Sequence, residues 1–203
     1  MSLVQLTNPT DFPVSYDEAR QHLRILDNTQ EAEVYRLLKA AVESVEIIMG
    51  AALIPRTYRL DLDGFPSNLD GPGFKAISPY AIDLQIYPIQ SISSFVYDNS
   101  SNSPNETSLT LNTDYYQILS GRYPYVSPVT QWPSAISGKP GSVRISFTAG
   151  YAQKDDIPED VKHAILIQLK NFYDFGNEWI QGTHATPMNT VNHLLFQHKR
   201  LHI

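Results

Sequence analysis

One long amphipathic segment, residues 28–50, constrains the fold more than any other part of the sequence. Its apolar residues recur at the three- and four-residue intervals that place side chains on one face of an α-helix. That face comprises Val34, Leu37, Leu38, Ala41, Val45 and Ile48. The opposite, charged face comprises Arg36, Lys39, Glu43 and Glu46. Asn28 with Glu31 predicts a capping box at the helix start, and Gly50 predicts a left-handed stop. Because one helix cannot cover its own apolar face, another part of the chain must pack against it.

The composition of the 203-residue chain argues against several kinds of protein. Its 15 Lys and Arg against 21 Asp and Glu give a net charge of -6, which disfavours nucleic-acid binding through phosphate neutralisation. The absence of cysteine excludes disulfides, thiolate metal sites and a cysteine nucleophile. The longest apolar run, residues 47–54, is too short to cross a bilayer, and the N-terminus lacks the pattern of a signal peptide. We therefore expect a soluble, unsecreted protein without membrane association.

Helical patterns occur at both ends of the chain. Near the N-terminus, Ser15 with Glu18 predicts a capping box at the head of a short helix. A second long helix is predicted to begin at Pro158, since proline suits the first helical position and the first turn is acidic. It is apolar on almost all sides and ends at Gly176. We expect it to pack against the helix over residues 28–50.

Between the helices, residues 55–154 alternate apolar and polar side chains with the period of half-buried strands. We predict five or six strands in this region. The clearest patterns lie over residues 57–62, 82–86, 92–97 and 143–148. A stretch of Ser, Asn and Pro at residues 99–106 predicts an exposed hairpin tip. The four prolines within residues 121–141 argue against long regular ladders there.

These patterns together predict an α+β protein. We expect a small helical domain formed from both chain ends, residues 1–54 and 155–203. An antiparallel β-rich region, residues 55–154, is inserted between them. The residues before the first short helix are expected to form an extended lead-in to the helical domain.

Two groups of possible metal ligands have simpler explanations. His193, His198 and His202 could form a transition-metal cluster, but the first two do not share a helical face and no carboxylate lies near them in sequence. A solvated or partner-binding tail explains them better. The run Asp61-Leu62-Asp63-Gly64 has the residue types of a calcium loop, but its glycine comes too early and no bidentate Glu follows. A hairpin turn is the better interpretation.

The possible catalytic motifs also have simpler explanations. The carboxylates of residues 155–160 could shift one another's protonation, but the preference of a helix N-terminus for negative charge explains them. Residues 138–142 contain the residue types of a phosphate loop in the wrong order, and they precede a strand. No Gly-x-Ser-x-Gly elbow occurs. We therefore expect no enzymatic activity, no catalytic residues, no metal and no cofactor.

Several sequence blocks are more specific than these periodicities. In order they are SxxEARxHLR from Ser15, ALIPRTYRL from Ala52, DGFP from Asp63, WP from Trp132, VRISFTAGY from Val143 and IP from Ile157. Their order and content resemble the tailed-phage head-tail connector family, the adaptor proteins of phages and prophages, over about residues 15–200. The most specific parts of the resemblance are the LIPxTYxL block from Leu53 and the FTAGY block from Phe147.

The resemblance implies a non-enzymatic component of the virion neck. Such a protein forms a ring, a dodecamer in the virion, that docks beneath the portal protein and receives the next neck or tail-completion protein. It extends the channel through which DNA passes without sequence-specific binding. The resemblance implies a place at the head-tail junction of the virion, and in the host cytoplasm during assembly. Family members share a small helical domain, and the longer ones carry a strand insertion.

The C-terminal segment is the candidate contact with the portal. It is terminal and combines aromatic, basic and apolar residues, so we expect it to become ordered on docking. The predicted partner-binding residues are Leu195, Phe196, His198, Lys199, Arg200, Leu201, His202 and Ile203. The alternative function is a tail-associated carbohydrate- or peptide-binding module, which a concave aromatic patch on the strand region would favour.

Overall fold

A computed structural model of the protein describes residues 1–26, 29–66, 80–99, 106–135, 139–174 and 190–200. The helices are α1 Tyr16–Leu23, α2 Glu31–Met49, α3 Glu159–Asp174 and α4 Thr190–Leu195. The strands are β1 Ser2–Gln5, β2 Arg56–Leu62, β3 Ile82–Asp83, β4 Ile89–Asp98, β5 Glu106–Ser108, β6 Tyr115–Ile118, β7 Tyr125–Pro128 and β8 Val143–Ala149. The ladders between these strands are antiparallel, which confirms the predicted α+β class.

The chain divides into two compact units. The strand unit comprises Met1–Pro9 and Pro55–Tyr151. The helical unit comprises Thr10–Ile54 and Ala152–Arg200. The first residues, which the sequence assigned to an extended lead-in of the helical domain, form β1 and pair with β2 instead. Four residues with little alternation gave no sign of this pairing.

In the helical unit, α2 and α3 pack against each other, as their apolar faces predicted. Gly50 ends α2 in the left-handed conformation, with a φ of 68°. The predicted start is wrong: α2 begins at Glu31, and Gln30 occupies the cap position without a side-chain hydrogen bond. Asn28 lies outside the described residues. Ser15 and Glu18 form the predicted capping box of α1.

Glu46, placed by the sequence on the charged face of α2, is buried instead. Its Oε1 accepts a hydrogen bond of 2.8 Å from the backbone N–H of Leu53. The carboxylate therefore satisfies a backbone donor in the chain segment that leaves the helix, where an unpaired buried N–H would be unfavourable.

The strand unit contains two sheets. The larger has the order β1-β2-β8-β4-β5, and the smaller has the order β3-β7-β6. In β2 and β8 every second residue is buried, so one face of the larger sheet forms a core. The buried residues of β8 are Val143, Ile145, Phe147 and Ala149.

Aromatic rings join the two sheets. Phe95 of β4 and Tyr115 of β6 lie edge to face, with ring centroids 5.0 Å apart. Trp132 stacks on Phe65 at 5.0 Å and its Nε1–H donates to the carbonyl of Tyr80 at 2.6 Å. Such contacts add specific geometry to the apolar area that the rings bury.

The smaller sheet includes a short strand in the proline-rich segment. β7 lies within residues 121–141, where the prolines argued against long regular ladders, and Pro128 is its last residue. At this position, the end of a short strand, proline removes little from the ladder. The predicted hairpin is present as the pair β4 and β5, with Val96 opposite Ser108, while residues 100–105 of its tip lie outside the described residues.

Candidate functional site

The C-terminal turn, defined as residues 195–200, follows α4 in the helical unit. Successive backbone hydrogen bonds fold it: the N–H of His198 donates to the carbonyl of Leu195, and that of Lys199 to the carbonyl of Phe196. Leu195 is fully buried and Arg200 is 4% exposed, so both ends of the turn are fixed in the unit.

The far end of the turn is held by the end of α2. The backbone N–H of Arg200 donates to the carbonyl of Met49 at 2.8 Å. Met49 is the last residue of the helix, so this contact satisfies one of the carbonyls that a helix leaves without an internal partner. A Cβ at Gly50 would lie 3.3 Å from the Cβ of Arg200. Glycine is therefore favoured there both by its positive φ and by the close approach of the turn.

The near side of the turn is held by the Asp160 carboxylate in the first turn of α3. Its Oδ2 accepts a hydrogen bond of 2.6 Å from Nε2 of Gln197 and lies 2.7 Å from Nε2 of His198. An ionised carboxylate can only accept, so the Nε2 of His198 carries the proton in this contact. Partial burial raises the pKa of Asp160, but the hydrogen bonds from His198 and Gln197 outweigh it, and the pKa lies below the ordinary carboxyl value.

The turn presents one large apolar side chain to solvent. Phe196 is 71% exposed, although the residue before it is fully buried. Lys199 is also exposed. An exposed aromatic ring on a turn fixed at both ends is the kind of anchor that protein interfaces favour.

The predicted partner-binding residues therefore divide into groups. Leu195 and Arg200 fix the turn, and His198 pairs with Asp160. Phe196 and Lys199 are exposed. Leu201, His202 and Ile203 lie outside the described residues. The expectation that the segment is free until it docks does not fit its described part, because carboxylate and carbonyl groups of α2 and α3 already hold it.

Sequence reasoning missed the residues that position the turn. Asp160 was explained by the preference of helix starts for negative charge, and Gly50 by the helix stop alone. Both explanations hold, but neither indicates a partner about 40 residues or more away in sequence. A short carboxylate-to-imidazole contact of this kind has no local signature.

The structure gives the other candidate groups ordinary partners. Asp61 pairs with Arg59 at 2.8 Å, and the Oδ1 of Asp63 accepts from the N–H of Gly141 at 3.1 Å. Among the described residues, no three His, Cys, Asp or Glu side chains are grouped so that they could hold a metal ion. His202, the third histidine of the predicted cluster, lies outside them.

A second charged cluster lies in the strand unit. The carboxylate of Asp98, 1% exposed, accepts two hydrogen bonds of 3.0 Å from the guanidinium of Arg144. Lys139 donates to it at 2.6 Å, and Arg144 also reaches Glu106 at 2.7 Å. The Arg144 and Lys139 contacts hold the pKa of Asp98 well below its usual range. Because every charge has a partner, this cluster fastens β4, β5 and β8 and offers no free group for chemistry.

No helix in the described part of the chain combines the length and apolar character needed to cross a membrane. No protein-family model matches the sequence, and no curated protein matches it.

Solved structures do match the fold. A chain in the neck of the empty gene transfer agent particle, computed with C6 symmetry, gives a TM-score of 0.77 at 21% identity. A chain in the virion of the native gene transfer agent particle gives 0.76, and one in the neck of the native particle computed with C12 symmetry gives 0.73, both at 21% identity. Each match covers 100% of this chain and 97% of the other. At this identity the matches establish a shared fold.

Proposed function

We propose that this chain is a structural component of a virion neck, a head-tail connector or adaptor without enzymatic activity. The proposal rests on the fold likeness to chains from gene transfer agent necks. That likeness covers 100% of this chain and 97% of each of those chains. The independent resemblance of the LIPxTYxL and FTAGY blocks to tailed-phage connectors supports the same role.

The assembly we propose is a ring of identical subunits, twelve in the virion. The neck structures that share this fold were computed with C6 and C12 symmetry, which supports a cyclic arrangement. In such a ring each subunit uses two different faces, and closure requires the same rotation at every contact.

The proposed partners are the portal protein on one side and a neck or tail-completion protein on the other. The ring extends the channel, and DNA passes through it without sequence-specific binding, in keeping with a net charge of -6. The proposed location is the head-tail junction of the virion, after a period in the host cytoplasm during assembly.

We assign the C-terminal turn to the portal contact. Phe196 is the anchor, because it is exposed on a turn whose geometry Asp160 and Met49 fix before any partner binds. A preorganised anchor loses little conformational entropy on docking.

The alternative of a carbohydrate- or peptide-binding module gains no support from the aromatic cluster between the sheets of the strand unit. Phe95, Tyr97 and Tyr115 are buried, and they pack with Phe65 and Trp132 between the sheets. These rings form core packing and do not line an exposed concave platform.

The test is binding to the portal protein encoded in the same genome, measured by co-purification and then by titration. We expect the unaltered chain to bind and Phe196→Ser to bind at least about tenfold more weakly, as expected for loss of an interface anchor. Leu26→Ser is the matched control, because Leu26 is 97% exposed and lies outside the turn.

The two possible negative results have different meanings. An unaltered chain that does not bind the portal contradicts the connector role. Binding of Phe196→Ser equal to that of the unaltered chain contradicts the C-terminal contact and leaves the role in place. A chain lacking residues 198–203 provides a second test of the same contact.

A further inference from the structure

Two histidine side chains meet where α1 packs against α3, within the helical unit. His22, in the last turn of α1, contacts His163 of α3 edge to face, with ring centroids 6.4 Å apart. We call these two residues the histidine pair. His22 is half-buried, whereas His163 is exposed and can exchange protons with solvent. Because imidazole takes up a proton near neutral pH, acid places two like charges across this contact.

The surroundings of His22 favour its neutral form. Burial lowers the pKa of His22, and charge on His163 and on Lys170 of α3 lowers it further. Both charged neighbours lie on the helix that α1 packs against. Protonation of His22 therefore opposes the contact between the two helices.

The acidic side chains of the three packed helices are engaged elsewhere. Asp17 pairs with Arg20, Glu18 caps α1 at Ser15, Glu159 pairs with Lys162, Asp160 contacts His198 and Asp174 pairs with Lys170. From α2, the Glu31 carboxylate acts on Tyr16 at the other end of α1. Among the residues that the structure describes, no carboxylate raises the pKa of His22. A positive charge on the histidine pair is thus left uncompensated.

The two ends of α1 are held differently. Its N-terminal end has the capping box of Ser15, and Tyr16 stacks on Tyr35 of α2 with ring centroids 5.2 Å apart. Its C-terminal end stops at Arg24, which has a φ of 60°. Residues other than glycine rarely adopt this left-handed conformation, and it strains the backbone. The end of α1 that carries His22 is therefore the end that opens more easily.

We propose that the histidine pair makes the seam between α1 and α3 acid-sensitive, so that protonation releases the C-terminal half of α1 while α2 and α3 stay packed. Release uncovers Leu23, a buried residue of α1. The segment belongs to the SxxEARxHLR block from Ser15, to which the proposed portal contact assigns no role. This joint lies in the helical unit and does not depend on the neck role of the chain.

Amide hydrogen exchange followed by NMR tests the local release. Rates are expressed as protection factors, which removes the intrinsic pH dependence of amide exchange. On going from about pH 7.5 to about pH 5.5, protection of residues 22–25 is expected to fall at least about threefold, because the open form binds a proton that the closed form disfavours. At both pH values these amides should be less protected than those of the buried residues Ala41 and Val45 of α2. Equal protection in α1 and α2 would show that α1 opens only when the whole unit unfolds, which overturns the local release.

Three variants assign the pH dependence to the histidine pair. His22→Gln should lose most of the fall in protection. His163→Phe keeps an aromatic ring for the edge contact but carries no charge, so its fall should be smaller than that of the unaltered chain. His193→Gln is the matched control, an exposed histidine of α4, and should behave as the unaltered chain does. A fall in His22→Gln or in His163→Phe equal to that of the unaltered chain overturns the proposal.

A direct titration provides a second readout that does not depend on exchange. The midpoint of the His22 imidazole resonance should lie at higher pH in His163→Phe than in the unaltered chain, because the opposing charge is absent. The circular dichroism spectrum at about pH 7.5 checks that both chains are folded. An unchanged midpoint in a folded His163→Phe would show that the two imidazoles do not interact, and it rejects the acid-sensitive seam.

Discussion

The Asp160 carboxylate connects α3 to the C-terminal turn, because its Oδ2 accepts hydrogen bonds from the side chains of both Gln197 and His198. In Asp160→Ala both contacts are lost, while the backbone bond from Arg200 to Met49 remains. We expect hydrogen exchange at the amides of residues 198–200 to accelerate about tenfold or more, because a hydrogen bond to a charged group contributes about 1.5–3 kcal/mol.

Glu159→Gln is the matched control for this exchange experiment. Glu159 is the neighbouring acid in the same helical turn, is largely exposed, and pairs with Lys162. Exchange in the turn should not change in this variant. If Asp160→Ala also leaves the exchange of residues 198–200 unchanged, the carboxylate does not position the turn.

The lowered pKa of Asp160 also fixes the pH range of this anchor. A carboxylate whose pKa is lower in the folded state stabilises the fold above its ordinary pKa, and that contribution is lost as the pH falls through the lowered value. The turn should therefore keep its exchange protection at neutral and mildly acidic pH.

His22 of α1 gives a pH dependence of the same sense, but over a higher pH range. Burial lowers the pKa of His22 from its ordinary value of 6.5, and the nearby His163 and Lys170 lower it further. The fold therefore favours neutral His22, so its contribution is complete above the ordinary pKa and is lost as the pH falls towards the lowered one.

We therefore predict that His22→Gln changes the pH dependence of unfolding. On going from about pH 7.5 to about pH 5.5, the Tm of the unaltered chain should fall more than that of His22→Gln, which cannot take up a proton there. Equal falls in Tm would show that protonation of His22 does not oppose folding.

At the scale of the elements, one cluster of charged side chains links β4, β5 and β8 by ion pairs. It comprises Asp98, Arg144, Lys139 and Glu106. Asp98→Asn keeps the side-chain shape but removes the charge that Arg144 and Lys139 share. We expect a lower Tm in thermal unfolding, because Arg144 and Lys139 lose the negative charge of the buried carboxylate that they share, and charges left without their partner are unfavourable.

Glu106→Gln is the control for this cluster, because Glu106 is far more exposed than Asp98 and contacts only one of the two cations in the cluster. It should lower the Tm less than Asp98→Asn does. Since the pKa of Asp98 lies well below its usual range, the difference between the two variants should persist at about pH 4. A Tm of Asp98→Asn equal to that of the unaltered chain would contradict the role of the cluster.

At this scale, the elements with strong periodicity were predictable from the sequence and the short ones were not. The α2 stripe and the alternation of β2 and β8 each extend over seven residues or more. β1 and β7 have four residues each, and their partners β2, β3 and β6 determine them. Pairing across distant segments leaves no pattern within four residues.

The C-terminal residues remain a predicted contact, and the geometry of their turn was not predictable from the sequence. Phe196 was recognisable from the sequence as a residue type suited to an interface. The fixed state of the turn depends on contacts with Asp160 and Met49, which lie 36 positions before Phe196 or further. Such long-range contacts form only after α2 and α3 pack, so residue type and spacing do not predict them.

At the scale of the whole molecule, the two compact units differ in what they expose and what they bury. The helical unit presents Phe196 on a preformed turn, and in the strand unit buried aromatic rings join the two sheets. This arrangement is consistent with the proposed connector role.

The most direct test of this account is cryo-electron microscopy of the chain incubated with the portal from the same genome. Added density with twelve-fold symmetry is expected beneath the portal, and twelve copies of this fold should fit into it around the channel. A portal without added density, or this chain located away from the portal in assembled particles, would contradict it.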